Sequence, residues 1–368
     1  MIINPHYIPD LGLKFDRILT KDQLQYLSNP NPDIIANNYV YYTRLRHECG
    51  VAKLPSHLSQ EIIKSIKERR ILLVIDFDEA RYAVVDEIYN HLIRKEGLPP
   101  DQILLIGSSP DLKNAIEICS RNLDVNPIKF EVFYVFEKIV KDFKDIPTIG
   151  TFQSKKVPRK AYINLNHFFR VHRAYVMLML EKKNLLDYGY NSFHNAMDHG
   201  ELDIFKRMYP DLLIPETRYL DIQDDKSKLS GELTRKFVTT KIDTLPYFIN
   251  DSMVHIIGET QFFGGPRDLS EKAFKPIFFK QPFIFLGQYR CLELLRELGY
   301  KTFDGIIDET YDTITDHQLR LDMIVTEIEK LCVMTDEDKI KFLSDCADIV
   351  EHNYNLLLSK EIHRQTLL

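Results

Sequence analysis

The sequence predicts an α/β protein made of two parallel-sheet domains in tandem, closed by a helical tail. Three observations carry this. Short continuous apolar runs recur along the chain, as buried parallel strands require. Amphipathic stretches of helical period separate them. A segment of linker composition, Lys144 to Arg159 with Pro147, Gly150 and Pro158, divides the alternation into two series. The chain has 368 residues, enough for two cores at roughly 100–200 residues per domain.

The elements follow in order. Residues 1–55 read as irregular, rich in Pro, Asn and Tyr. Ser56 to Arg70 reads as a helix with Leu58, Ile62, Ile63 and Ile66 on one face. ILLVID (71–76) is a buried strand, Glu79 to Glu96 a helix stopped at Gly97, ILLIG (103–107) a second strand, Pro110 to Cys119 a helix with Pro in its first turn, and FEVFYVF (130–136) a third strand. After the linker come strand AYINL (161–165), helix Phe169 to Lys183, strand MVHII (253–257), helix Ser270 to Lys280, strand PFIFLG (282–287) and helix Tyr289 to Leu298, ended by Gly299. Two amphipathic helices close the chain: Asp316 to Cys332, and Thr335 to Ser359 with a Thr N-cap and an acidic first turn. The expected domains are 1–156, 157–334 and a tail, 335–368, long enough to cross back to the N-terminal domain.

Composition narrows the function classes. The hydrophobic fraction of 44% and charged fraction of 28% are those of a globular protein. A net charge of −6 argues against a surface devoted to nucleic acid, although Lys155, Lys156, Arg159, Lys160, Arg170, His172 and Arg173 form one dense basic stretch. The five Cys show no CxxC spacing, which points to reduced thiols. The opening MIINPHYIPD has neither the basic nor the apolar region of a secretory signal, and no apolar run reaches the ~20 residues of a membrane span. No membrane partner is expected.

Residues 255–287, HIIGETQFFGGPRDLSEKAFKPIFFKQPFIFLG, carry the chemistry. A buried strand delivers Gly258 and Glu259 at its carboxyl end. A loop with Gly264, Gly265 and Pro266 follows, and Ser270 stands where an N-cap belongs. Free amides and the dipole of the next helix would then suit a diphosphate. Lys272 and Lys275 share a helix face and can pair with it. Glu259 and Glu271 can each take two hydroxyls of a ribose or a sugar. Gly287 permits close backbone approach.

This segment resembles the donor-binding region of fucosyltransferase-like GT-B glycosyltransferases, in which a strand ends in Glu and an (S/T)EK sequence opens a helix leading to a P-(F/V)-(I/V)-x-x-G strand. It is more similar still to a glycosyltransferase-like group encoded by phages and large DNA viruses. The matching residues are Glu259, Thr260, Leu269, Ser270, Glu271, Lys272, Lys275, Pro276, Ile277, Gln281, Pro282, Phe283 and Gly287. The match continues through Leu298, Gly299, Tyr300, Lys301, Thr302, Phe303, Asp308, Glu309, Tyr311 and Asp312, and reaches INLNHFFRVHRAYVMLML (163–180). It fades over the N-terminal half.

The resemblance implies two Rossmann-like domains of the GT-B type with a cleft between them, an N-terminal acceptor side and a C-terminal donor side. It implies transfer of a sugar from a nucleoside-diphosphate sugar, of UDP or GDP type, used as co-substrate with no tightly bound cofactor and no metal. Glu271 would contact the donor ribose. Lys272 or Lys275 would neutralise the diphosphate, beside Glu259, Thr260 and Ser270. Asn166, Arg170, His172 and Arg173 would line the opposite wall, with Arg170 or Arg173 holding the leaving diphosphate. The acceptor would be a glycan or a hydroxymethylated base of phage DNA, and the setting the cytoplasm of the producing or infected cell. The general base is sought among Asp76, Asp78, Glu79, His47 and Glu48, with Glu259 a further catalytic candidate.

Other readings compete. A non-catalytic nucleotide-sugar-binding protein of the same fold is the runner-up. ILLVIDFDEA also resembles the first motif of haloacid-dehalogenase-type phosphatases, with Ala80 where Thr or Val belongs and Ser108 as a second-motif hydroxyl. His194, Asp198 and His199 offer metal-ligand types but read as a surface loop. GSSPD (107–111) reads as a plain strand-to-helix turn, since no P-loop Lys follows.

Overall fold

The structure is a computed structural model and describes residues 17–20, 39–45, 58–77, 81–134, 136–137, 140, 157–196, 199–212, 219–220 and 245–360. The fold is mixed α/β, and the chain divides into two compact units. One holds Met1–Val135, Gly265–Leu269 and Glu361–Leu368; the other holds Phe136–Gly264 and Ser270–Lys360.

The first unit is a sheet of β1 (Arg17–Thr20), β2 (Tyr39–Leu45), β3 (Ile71–Phe77), β4 (Ile103–Gly107) and β5 (Lys129–Val132), in that spatial order. β1 is antiparallel to β2, and the rest are parallel. The apolar runs ILLVIDF and ILLIG are buried along their whole length, as interior parallel strands must be. Helix α1 (Gln60–Lys67) is capped by Ser59. Helix α2 (Tyr82–Glu87) continues as a π-helix, Ile88–Lys95, and Gly97 past its end takes φ 69°, the left-handed stop that favours glycine. Helix α3 spans Leu112–Asn122. Leu73, Ile75 and Leu105 meet Val85, Ile88 and Leu92 in one core.

Two expectations change here. The span 1–55 is not wholly irregular, because YVYYTRL forms β2 and pairs in register with β3. Its Tyr and Thr suit a strand, but Arg44 hides it from a search for unbroken apolar runs. The third strand stops at Val132, and Phe136 and Glu137 are helical.

The second unit is a sheet of order β10-β9-β6-β7-β8. Its strands are β6 (Lys160–Phe168), β7 (Gly189–Ala196), β8 (Tyr219–Leu220), β9 (Ser252–Gly258) and β10 (Phe283–Leu286). β10, β9, β6 and β7 are parallel; β8 is antiparallel to β7. The helices are α4 (Val171–Lys182), α5 (His199–Met208), α6 (Leu245–Asn250), α7 (Glu271–Phe278), α8 (Cys291–Glu297), α9 (His317–Cys332) and α10 (Asp336–Ser359). Asp316 caps α9. Thr335 and Asp338 form a reciprocal capping box at the start of α10. α10 belongs to this unit as far as Lys360. Asn353 bonds both the amide and the carbonyl of Lys301, at 2.7 and 2.8 Å, and Lys360 reaches the buried Glu137 carboxylate at 2.8 Å. No helix among the described residues is long and apolar enough to cross a membrane.

The two sheets wind differently. Among the described residues β2, β3, β4 and β5 advance in one direction only. In the second unit the chain steps outward from β6 to β7 and, in the opposite direction, from β9 to β10. The winding therefore reverses between β6 and β9, which are adjacent, and open parallel sheets bind ligands at the carboxyl ends beside such a reversal.

Gly258 ends β9 at that point. A Cβ there would stand 2.6 Å from Asn166 Oδ1 and 3.4 Å from Arg173 Nε. Because both neighbours are buried, Gly258→Ala is expected to cost about 1–3 kcal/mol through overpacking, measured as a lower urea midpoint at unchanged slope.

Candidate functional site

The end of β9 is gripped from the helix that follows β6. Arg173 donates through Nη2 to the carbonyls of Gly258 and Glu259, both at 2.8 Å. His172 donates from Nε2 to the Glu259 carbonyl at 2.9 Å, and its ring stacks on Phe262 at 5.2 Å. Both side chains are buried. Burial, helped by Arg173, pushes the His172 pKa well below its ordinary value, so the ring is neutral at physiological pH. Burial brings the Arg173 guanidinium down to about 10 against the opposing pull of Glu259, which leaves it charged at neutral pH. Asn166 is buried beside them, donating to Asn164 Oδ1 at 2.7 Å.

These side chains therefore do not form the open wall expected of them. They brace a strand end. Arg170 differs: it pairs with Glu201 at 3.5 Å, and Glu201 also accepts from the Val171 amide at 3.1 Å, closing the opening of α4. The role of Glu201 was invisible in the sequence because β7 and α5, which place it, were not predicted.

The opening of α7 is closed as well. Glu259, only 4% exposed, accepts from the Ser270 amide at 3.0 Å and from Ser270 Oγ at 2.6 Å. Its Oε2 also accepts weakly from the Thr260 amide at 3.3 Å. Ser270 Oγ in turn accepts from the Lys272 amide at 3.3 Å, and the Ala273 amide donates to the Ser270 carbonyl at 3.1 Å. The N-cap expectation for Ser270 is met. Of the amides expected to be free, those of Ser270 and Lys272 are met by a strand-end carboxylate and by the cap itself.

Charge remains available one step outward. Lys272 Nζ lies 3.0 Å from Ser270 Oγ, 3.2 Å from Glu271 Oε1 and 3.5 Å from Thr260 Oγ1. Lys275, one turn on, is half-buried, and no hydrogen bond or ion pair is made by its ammonium among the described residues. Burial brings its pKa below the ordinary value against the opposing pull of Glu271. Burial works against ionisation of Glu271 too, but Lys272 and Lys275 outweigh it and hold the carboxyl down at about 2. Two ammonium groups and one carboxylate thus lie along one half-buried edge of α7, Lys275 a turn beyond the other two.

The later residues of the motif are architectural. Asp312 accepts from the Leu292 and Glu293 amides at 3.1 and 3.3 Å, closing the opening of α8. Buried Glu309 accepts from the Phe303 amide at 2.7 Å and from Arg296 at 3.2 Å. Tyr311 accepts from the Phe285 amide at 3.1 Å. At Gly287 the close approach is made by the chain itself: a Cβ would meet the Phe285 ring at 2.3 Å.

In the first unit, Asp76 lies near the carboxyl end of β3 and is buried. Ser108 donates to Asp268 at 3.0 Å, and Asp111 pairs with Arg267 at 2.9 Å, so the GSSPD turn is engaged by protein groups. Asp78, Glu79, His47, Glu48 and Asp198 lie outside the described residues. His194 falls on β7 and His199 opens α5, so a strand and a helix stand where a surface loop was expected. The dense basic stretch is dispersed as well: Arg159 pairs with Asp251 at 2.6 Å, Lys160 donates to the Asp187 carbonyl at 2.6 Å, and Arg173 is buried. Lys155 and Lys156 lie outside the described residues.

No protein-family profile matches the chain, and no curated protein matches it either.

The Glu271 carboxyl gives a pH test. Its pKa falls from an ordinary 4.5 to about 2 in the fold, so its charge stabilises the protein above about 4.5, and that contribution fades as pH drops toward about 2. Glu271→Gln is expected to lower stability at pH 7 by roughly 1–2 kcal/mol. The gap from wild type should close on acidification in denaturant titrations; a gap constant with pH would remove the assigned ion-pair network.

Proposed function

We propose that the second unit binds a nucleoside-diphosphate sugar at the opening of α7, and that the protein is a glycosyltransferase passing the sugar to a hydroxyl acceptor. Lys275 is the observation that carries this reading: an ammonium without a hydrogen-bond partner among the described residues, beside an ionised carboxylate, next to the strand reversal where parallel sheets take their ligands. Lys275 and Lys272 would hold the diphosphate, as point charges on flexible stems. Glu271 would accept the hydroxyls of the ribose. In the transfer, the acceptor oxygen bonds to the anomeric carbon, the bond from that carbon to the diphosphate breaks, and a base takes the hydroxyl proton. A GT-B architecture, a cytoplasmic setting and a glycan or hydroxymethylated DNA base as acceptor belong to the same proposal, which draws on the resemblance of residues 255–312 to phage and viral glycosyltransferase-like proteins.

A second reading, a sugar-nucleotide-binding protein without transfer, is favoured by one observation: both oxygens of Glu259 are already bonded within the chain, so this carboxylate offers no base. Donor turnover separates the two.

The protein should melt at higher temperature with UDP or GDP, by mass action, and should slowly hydrolyse the matching sugar nucleotide when no acceptor is present. Lys275→Met should weaken nucleoside-diphosphate binding about ten- to a hundredfold in calorimetry, the loss of a charged hydrogen bond. Unchanged melting with every nucleoside diphosphate would end the donor-site reading, and binding without hydrolysis would favour the second one.

A further inference from the structure

We infer that Glu259 is a positioning residue: through Ser270 it fixes the Lys272 ammonium at the edge of the α7 opening and itself touches no ligand. The geometry of one oxygen carries the argument. Ser270 Oγ has a single proton and two lone pairs. A carboxylate accepts and does not donate, so the 2.6 Å contact to Glu259 Oε2 must use the serine proton. Both lone pairs then face the other way, and the two remaining contacts use them: the Lys272 amide at 3.3 Å and Lys272 Nζ at 3.0 Å. The hydroxyl is saturated, with its polarity set by Glu259.

Glu259 is itself immobilised at both ends. Its second oxygen accepts from the Ser270 amide. Its own carbonyl is held by Arg173 and His172. The relay therefore runs from a clamped strand end to a lysine that is part-exposed, with 26% of its side chain open to solvent. Lys272 is further steered by Glu271 at 3.2 Å, and only weakly by Thr260 at 3.5 Å. Lys275 receives nothing from Ser270. The two ammonium groups are thus distinct, Lys272 oriented by the protein and Lys275 left to the ligand.

The inference rests on the donor-site reading only for what Lys272 then binds, so the test has two readouts. The first is competitive acetylation of the full-length protein, with the rate at each lysine read by mass spectrometry. In Glu259→Gln the amide can donate to Ser270 Oγ, which turns the hydroxyl proton toward Lys272. In Ser270→Ala the relay is cut. Both variants should acetylate Lys272 at least about threefold faster, since a charge-assisted contact that masks the amine is lost, while Lys275 changes little. Ser270→Thr restores the hydroxyl and should restore the wild-type rate. Loss of the helix cap alone would change Lys272 and Lys275 together, so the contrast between the two lysines separates the relay from capping. If Glu259→Gln does not fold, that contrast in the Ser270→Ala and Ser270→Thr pair decides. Wild-type Lys272 rates in Ser270→Ala would overturn the inference, as would failure of Ser270→Thr to rescue.

The second readout is affinity for UDP and GDP, expected to fall about tenfold in Ser270→Ala and to recover in Ser270→Thr. If Lys272 reactivity follows the relay while neither nucleotide binds the wild-type protein, the positioning role stands and the donor-site reading fails.

Discussion

The second unit depends on how the end of β9 is held. A carboxylate at 4% exposure is tolerated only when its hydrogen bonds are met and its charge is opposed. Glu259 meets both conditions locally, through Ser270 on one side and the Arg173 guanidinium on the other. The same guanidinium donates to two strand-end carbonyls, where β9 runs out of neighbouring strand amides to donate to it. One buried pair thus ends a strand, joins it to the helix that follows β6, and starts the helix that follows it. Gly258 is required because any side chain there would enter the space that Asn166 and Arg173 fill.

Among the described residues, three helix openings of this unit carry a carboxylate from elsewhere in the chain: Glu201 on the first amide of α4, Glu259 on the N-cap amide and hydroxyl of α7, and Asp312 on the second and third amides of α8. Helix openings attract anions because their amides lack partners and the dipole is positive there. Here the chain supplies those anions itself. On the proposed reading, a phosphate arriving at α7 would be met chiefly by the side chains of Lys272 and Lys275. Lysines make a weaker template than an amide nest but a more adaptable one, since the stem is flexible and the ammonium has no preferred plane.

What the sequence made legible was whatever depends on local pattern. The runs ILLVID and ILLIG, the Ser270 and Thr335 caps and the stop at Gly97 follow from periodicity and backbone preference, and each is found where it was expected. β2 and β7 escaped notice because YVYYTRL and GYNSFHNA carry polar residues that break the apolar signal, although both lie inside parallel pairings. The π-helical continuation after Glu87 has no signature in its residues. At the site, residue types were legible and directions were not. An Arg two residues into a helix reads the same whether it faces solvent or a strand-end carbonyl, and Arg173 and His172 face the carbonyl. Which of Lys272 and Lys275 is held, and which is open, depends on a serine hydroxyl whose orientation is set by a glutamate eleven residues earlier.

The charges at the site also decide what kind of recognition it supports. Glu259 is opposed by Arg173, and Arg170 by Glu201. That leaves Lys272 and Lys275 against Glu271, an excess of one positive charge on a chain whose formal net charge is −6. Such a site has little long-range field with which to draw in an anion from solution. A diphosphate carries more than one negative charge, so charge neutralisation alone would not bind it tightly. Affinity would have to come from short contacts made after arrival, the lysine hydrogen bonds and the hydroxyls that Glu271 accepts. On the proposed reading, Glu271 would have two functions that pull against each other: it would lower the positive potential around the diphosphate and supply the acceptor that distinguishes a ribose from a bare phosphate. A site built this way would give up affinity for inorganic anions and keep it for a ligand that joins a diphosphate to a sugar.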